Sequence, residues 1–500
     1  MVTRKNRRSG NRAEIRKWNP SFFGLLFKES VSIFFPSIYP PKITGGVMRR
    51  SVIIGLLLLV MVQGAFAGGI LTNTNQSVQF TRMLARNAST DIDAVYFNPA
   101  GITQLADGFH FALHNQTISQ GRIVTSTFSY LNREKYEGDT FVPVFPNLYA
   151  VYKKEKMAFA LGFGPIAGGG SAEFKNGLPD LEMPLSLIPL SIRAAGIPTS
   201  AYSVDLAFEG VSIIYGIQFS TAYALSEKVS VSVGARYNIA SNTYEGSLKN
   251  VMVNPNAPAL GLGGTLIPAT NFFTAIGDPV TAMGLSDQEV DAKQSGNGIT
   301  PIIGLNIKPS RCLNIGLKYE MATKMEIENE TQKDLIAMPQ FEDGRKMRKD
   351  LPAILAAGVS YRVSDPLLIS VGGNLYFDKD ANWEGREKLV DSNLWEMQIG
   401  AQYAVSENIK VSAGFQHTAN GVSDMYQTGL DYFVGANAIG AGARIGLGGA
   451  LALELGGLYT MYQPHEVDRV YPGVPDPNYQ VTFDKTAWLL SVGLEYAIRK

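Results

Sequence analysis

Cysteine is almost missing from this chain: Cys312 is the single example in 500 residues. A lone thiol excludes an intramolecular disulfide framework and any CxxC metal or redox pair. It stands in the alternating run Cys312-Leu-Asn-Ile-Gly-Leu-Lys-Tyr, which predicts a packed strand position. Histidine is scarce too, at four residues. His110 and His114 fall on one strand face about 13 Å apart, too far to share a metal, and no other ligand cluster adjoins them. No GxSxG, HExxH, phosphate loop or spaced carboxylate pair appears, so neither an enzyme nor a cofactor is expected. Long apolar runs are also missing. The apolar stretch from Val52 to Val62 is too short to cross a bilayer as a helix, which takes about 20 residues.

That stretch reads instead as part of an export signal. Arg49-Arg50 precede it and Ala65-Phe66-Ala67 follow, giving a positive start, a short apolar middle and a small-x-small cleavage site. Gly68 rather than cysteine follows the expected cut, which argues against lipoprotein processing. Met48 stands where an initiator would, so residues 48–67 are expected to be the signal peptide. Residues 1–47, basic and without a sustained period, are read as sequence upstream of the true start. Residues 1–67 hold 11 Lys+Arg and 2 Asp+Glu, leaving 33 basic and 42 acidic residues, a net charge near −9. An acidic chain with no basic tract argues against nucleic acid as a partner.

What is abundant is glycine (51), Phe (25) and Tyr (22), set in stretches of period-two alternation. Val229, Val231, Val233, Ala235, Tyr237 and Ile239 share one face; Ser230, Ser232, Gly234, Arg236 and Asn238 share the other. Trp395, Met397, Ile399, Ala401, Tyr403 and Val405 repeat the pattern against Glu396, Gln398, Gly400 and Gln402. A soluble sandwich alternates likewise, with its apolar face inward. Here the strands are long, aromatics sit near the ends of the apolar rows, and full charges lie in the polar rows; together these favour an all-β transmembrane antiparallel barrel. Tight connections such as Ser226-Glu-Lys, Ser364-Asp-Pro and Ser406-Glu-Asn alternate with long ones at 165–210, 246–298 and 327–349, the asymmetry of periplasmic turns and extracellular loops. Fourteen strands are predicted. They fall at 109–118, 145–153, 156–164, 211–226, 229–245, 299–308, 312–326, 350–363, 366–380, 394–405, 408–418, 434–446, 449–462 and 486–496, with 122–130 as a further candidate.

Residues 68–107 do not alternate, and about 40 aperiodic residues ahead of a barrel are a candidate plug, with the barrel running over 108–500. Here the stretch Asp93-Ala-Val-Tyr-Phe-Asn-Pro-Ala-Gly101 enters the first strand, after a small-residue leader. In that setting the sequence resembles the FadL-type outer-membrane transporters of long-chain fatty acids and other hydrophobic compounds. The chain departs from the usual aromatic ending by finishing Tyr496-Ala-Ile-Arg-Lys500. The resemblance implies a monomeric barrel of about fourteen strands with an N-terminal hatch (plug) in its lumen, passing hydrophobic small molecules inward by diffusion between the cell surface and outer-membrane lipid.

Four groups of residues carry the candidate site. Asn98, Pro99, Ala100 and Gly101 form the hatch-to-strand motif: proline fixes an extended residue before it, and Gly101 permits a tight bend. The third strand ends in Gly162, Gly164 and Pro165 with three further glycines, residues that interrupt a ladder. The resemblance implies a lateral opening there. Arg236, Arg362 and Arg444 fall on polar rows with Lys318, Glu320, Glu396, Lys410, Glu454 and Glu495. They predict either a mutually neutralising lumen network or a partner for a substrate carboxylate. The charge-free run 251–277 and the leucine-rich run 181–193 predict apolar loops, which either pack together as a cap or form a capture surface for hydrophobic substrate. A general porin would lack a plug, and a structural or adhesive barrel would carry polar loops.

Overall fold

The computed structural model describes residues 70–333 and 341–499. The expected signal peptide, the upstream residues and the expected first mature residue, Gly68, lie outside these.

Alternating rows of β-favouring residues become long antiparallel strands. They are β1 (Gly108–Ser126), β2 (Lys135–Lys154), β3 (Met157–Phe174), β4 (Tyr202–Ala224), β5 (Val229–Val253) and β6 (Gln288–Ile307). Then come β7 (Leu313–Glu320, continued by Glu326–Lys333) and β8 (Lys346–Arg348, continued by Ile354–Arg362). Next are β9 (Leu367–Tyr376), β10 (Trp395–Ala404), β11 (Ile409–Thr418) and β12 (Ala436–Gly448). The last are β13 (Leu451–Tyr462, continued by His465–Val470) and β14 (Asn478–Arg499). β14 returns to β1 in an unbroken register from Gly108↔Arg499 to Ser126↔Val481, so the sheet closes as a 14-stranded barrel. The candidate strand at 122–130 is no separate element; its residues up to Ser126 continue β1, still paired to β14.

The barrel is inside out relative to a sandwich. On β5, Val231, Val233, Tyr237 and Ile239 are exposed while Ser230, Ser232, Arg236 and Asn238 are buried; on β10, Trp395, Met397 and Ile399 are exposed while Glu396 and Gln398 are buried. Outward aromatics form two rings: Tyr223, Tyr361, Tyr403 and Tyr496 near the short turns, and Tyr237, Trp395, Tyr459 and Trp488 toward the long loops. From Tyr496 to Trp488 runs about 26 Å of strand, the scale of the apolar band of a tilted transmembrane barrel.

Residues 70–107 fold inside this wall. They include α1 (Val78–Met83), a short turn α2 (Ala94–Phe97) and a 3-10 turn at Pro99–Gln104, after which β1 begins. Ser77 caps α1 by accepting a hydrogen bond from the amide of Phe80 (2.9 Å). Every residue of α1 is buried, polar ones included, so its partners must come from the wall.

Candidate functional site

The lumenal segment is held by charge and amide contacts to inward-facing rows. Arg82 of α1 reaches Glu454 of β13 (2.7 Å), Gln402 of β10 and Ser412 of β11 (both 2.8 Å). Arg86 folds the segment on itself through Asp93 and Asp91 (2.7 Å each). Asn98 donates to the carbonyl of Ser89 (2.9 Å) and to Asn306 of β6 (2.8 Å). Pro99 opens the 3-10 turn, and the carbonyl of Ala100 accepts from Ser230 of β5 (2.8 Å). A side chain on Gly101 would strike Asn98 and the Ser89 carbonyl. All four motif residues are thus packed where the segment meets the wall before β1.

Of the three candidate arginines, Arg236 pairs with Glu320, which also takes the amine of Lys318 (2.7 Å). Both cations lie over the ring of Tyr96, with Lys318 donating to its carbonyl (2.8 Å). Arg444 meets Glu454 (3.2 Å) and Glu495 (3.3 Å), joining the Arg82 pair, and Lys410 stands opposite it in register. Arg362 stands apart from this network: it is exposed at a short turn, donating to the carbonyl of Asp365 (3.2 Å). It lies in the inward phase of β8 but at the mouth, where water reaches it. Glu396 needs no cation; Asn374, Tyr376 and Gln416 donate to it at 2.7–2.8 Å.

The wall is not continuous. β2 and β3 pair from Lys154↔Met157 to Leu148↔Phe163, then only at Asp139↔Glu173. Between those points β3 carries Gly164, Pro165 and glycines, and bulges twice against β4, between Pro165 and Ala167 and between Gly168 and Gly170. Gly162 lies just before the lapse, still paired with Tyr149, and gives room to Val95 of the lumenal segment. The β2 side has its own device, which the alternation did not reveal: Pro143 and Pro146, which cannot donate to a ladder. The lumenal segment lies across the lapse. Asn73 donates from its amide to Ile166 (2.8 Å) and from its side chain to Gly168 (2.5 Å), while Gln76 reaches the carbonyl of Pro165 (2.9 Å). On the other edge Tyr149 donates to the Gln76 carbonyl (2.5 Å) and Gln116 to that of Asn75 (2.6 Å).

Beside this lapse a cavity is lined by Leu71, Ala167, Ile214, Met325 and Ile327, with Ser212, Asn242 and Lys349 as polar members. Above it the long loops close. Leu181, Met183, Leu185, Leu187, Ile188 and Ile192 are buried in one large apolar cluster with Val253, Phe272 and Phe273. The apolar runs therefore form mainly a packed cap, pinned by Glu182, which accepts from Tyr136 (2.8 Å) and Tyr202 (2.7 Å). Exposed apolar loop residues remain at Leu260, Leu266, Val280 and Met283. Cys312 is exposed, beside a short turn, rather than packed; it precedes β7 instead of lying within it. His110 donates from Nε2 to the Ala106 carbonyl (2.8 Å), and His114 is fully buried against Tyr149.

A closed barrel that is apolar outside and polar inside has the architecture of a bacterial outer-membrane barrel. Among solved structures, that of a Pseudomonas aeruginosa FadL homologue matches with a TM-score of 0.60 at 12% identity, over 86% of this chain and 99% of that chain. The Pseudomonas putida toluene transporter TodX matches at 0.51 and 12% identity, over 82% and 95%. The Ralstonia pickettii toluene transporter TbuX matches at 0.50 and 15%, over 82% and 94%. The fold is therefore that of the FadL-type channels. No protein-family model and no curated protein matches the sequence.

Proposed function

We propose that the chain is an outer-membrane channel for passive uptake of hydrophobic small molecules, long-chain fatty acid-like or aromatic. In this reading the lumenal segment is a plug, and substrate leaves sideways through the wall into lipid. The lapse between β2 and β3, beside an apolar cavity, is the observation that carries it. A sideways route keeps apolar surface out of water, which costs about 25 cal/mol per Å² to re-expose. A general porin for polar solutes fits less well, because α1 and its neighbours fill the lumen and bond to the wall on several strands. Capture at the surface falls to the few exposed apolar loop residues, since most of the loop hydrophobics are committed to the cap. The protein acts as a monomer, is exported by residues 48–67, and begins at Gly68.

Uptake of labelled long-chain fatty acid and of toluene into cells making the protein tests the reading, with a variant lacking residues 70–90 of the lumenal segment as control. The wild type should raise uptake of at least one hydrophobic probe without admitting small sugars. Sugar permeation by the wild type, or no gain for either hydrophobic probe, would overturn it.

A further inference from the structure

Two polar side chains stand on the lipid side of the wall, within the apolar band. Asn115 and Thr117 of β1 share the outward phase of Phe111 and Leu113, and both are half-buried. They lie opposite Val492 and Leu490 of β14, between the levels of Tyr496 and Trp488. In hydrocarbon a polar group has to find its partner within the protein, and these two find theirs on β2. Thr117 donates to the carbonyl of Pro143 (3.0 Å). Asn115 donates to the same carbonyl (3.2 Å) and accepts from the amide of Phe145 (3.0 Å). Valine or leucine would face lipid here at no polar cost, so what distinguishes the pair is its hold on the β2 main chain.

That hold falls on a bulge. Between Gln116↔Phe145 and Ile118↔Val142, β2 carries Pro143 and Val144 against the single residue Thr117, an arrangement that takes main-chain groups off the ladder and bends the strand. The bulge lies inside the stretch where β2 has no β3 partner, since that pairing stops at Leu148↔Phe163 and returns only at Asp139↔Glu173. The returning pair is two exposed carboxylates directly opposite one another, which repel rather than draw the edges together. With no ladder to β3, the place of Pro143 and Val144 is fixed from the β1 side. We infer that Asn115 and Thr117 are positioning residues that hold the β2 bulge off β3, and so set the width of the lapse and the breadth of hydrophobic molecule that passes it. This rests on the reading that substrate leaves through the lapse, and it deepens that route into a size limit. Without the two side chains the Pro143 carbonyl loses both of these donors in an apolar setting, and β3 is the remaining strand beside it, so the lapse narrows as the bulge turns that way. The ladder to β1 continues on both sides of the bulge, from Gly108↔Lys153 to Gln116↔Phe145 and from Ile118↔Val142 to Thr125↔Lys135. Closure of the barrel therefore does not depend on the anchors.

Asn115→Leu with Thr117→Val removes both anchors at similar volume. In a Cys312→Ser background, nitroxides on Val144→Cys of β2 and Ile299→Cys of β6, both outward and exposed, report the lapse by pulsed electron resonance on the full protein. Uptake of toluene, naphthalene and anthracene into cells reports the size limit. In the double variant the spin–spin distance should shorten by a few ångströms, and the widest ring system admitted should drop to the next smaller one. Thr117→Ser, which keeps the hydroxyl, should hold distance and size limit at wild-type values, which a role confined to packing the Thr117 methyl would not predict. Should the double variant fail to assemble, Thr117→Val against Thr117→Ser carries the same two readouts. An unchanged distance in a folded variant would overturn the anchoring role while leaving the channel reading intact. A shortened distance with an unchanged size limit would overturn the size limit and the sideways route together. Uptake of none of the three hydrocarbons by the wild type would sink the hydrocarbon-channel reading, and the inference with it.

Discussion

Gly400 of β10 faces the main-chain carbonyl of Met83 so closely that a side chain of even one carbon there would clash with that oxygen. The same is true of Gly414 on β11, which pairs with Gly400, and Gly440 on β12, next in register, stands likewise against the Thr81 carbonyl. Further round the same wall, Gly316 and Gly358, themselves a cross-strand pair, accommodate Asn87. The wall is therefore cut to the shape of the lumenal segment, strand after strand, by residues that carry no Cβ. A lumen shaped in this way makes the segment part of the barrel's packing rather than a loose filler.

Replacing both Gly400 and Gly414 with Val should expel the Met83 turn from its seat while leaving the outward face unchanged. Single-channel conductance in planar bilayers should then rise from closed toward a stable open level. A barrel that folds normally and stays closed would show that the segment is not the barrier.

Asp378, just beyond β9, is fully buried; one carboxylate oxygen accepts weakly from the Leu394 amide (3.4 Å) and the other has no partner. Burial pushes the group up to about 7. A carboxyl whose folded value lies above its unfolded one near 4 holds its proton better when folded, so stability falls as pH rises from about 4 to about 7. Asp378→Asn should remove that fall. Thermal unfolding should show the variant more stable than wild type at pH 8 by about 1–3 kcal/mol, and nearly equal at pH 4. Parallel pH curves for the two proteins would show that Asp378 is not the titrating group.

Much of this architecture was legible from period two alone, because a bilayer outside and polar contacts inside enforce alternation over the spanning part of each strand. Beyond the outer ring that pressure lapses. β2 is expected at 145–153 but begins at Lys135, and β4 is expected at 211–226 but begins at Tyr202. There both faces meet solvent or cap, and the pattern blurs. The lumenal segment announces itself only as missing periodicity; its seat on glycines of distant strands cannot be read locally. Gly164 and Pro165 mark one edge of the wall lapse, but on β2 Pro143 falls in the part that alternation leaves as loop and Pro146 at the very start of the expected strand, where a proline reads as an ordinary strand beginning. Arg362 has the right phase and the wrong height. The cavity beside the lapse has no local mark at all, since its walls are brought together from distant parts of the chain, the lumenal segment and four strands among them.

The β2 edge offers a direct test of the sideways route. Pro143→Val with Pro146→Val restores two backbone donors, and valine favours the strand. Hydrogen exchange should slow across 140–147, and uptake of a hydrophobic probe should drop several-fold, with the heat-modifiable barrel band unchanged. Full uptake despite slowed exchange would place the route elsewhere.

The inner side of the same lapse can be locked reversibly. Thr72 forms an isolated antiparallel bridge with Ala167 of β3, and directly opposed residues of such a pair have Cβ atoms about 4.5–5.5 Å apart. That is slightly wider than a disulfide prefers, within reach of a small backbone adjustment. Thr72→Cys with Ala167→Cys should therefore form a bond that fixes the lumenal segment to the freed edge of β3. The variant needs Cys312→Ser, which is exposed and would otherwise compete. If residues 72–76 must leave β3 for substrate to pass, uptake should fall sharply in the oxidised protein and recover on reduction. If uptake instead persists while the bond is intact, the segment is a fixed doorpost, and substrate passes between it and β2, where Gln76 meets Tyr149.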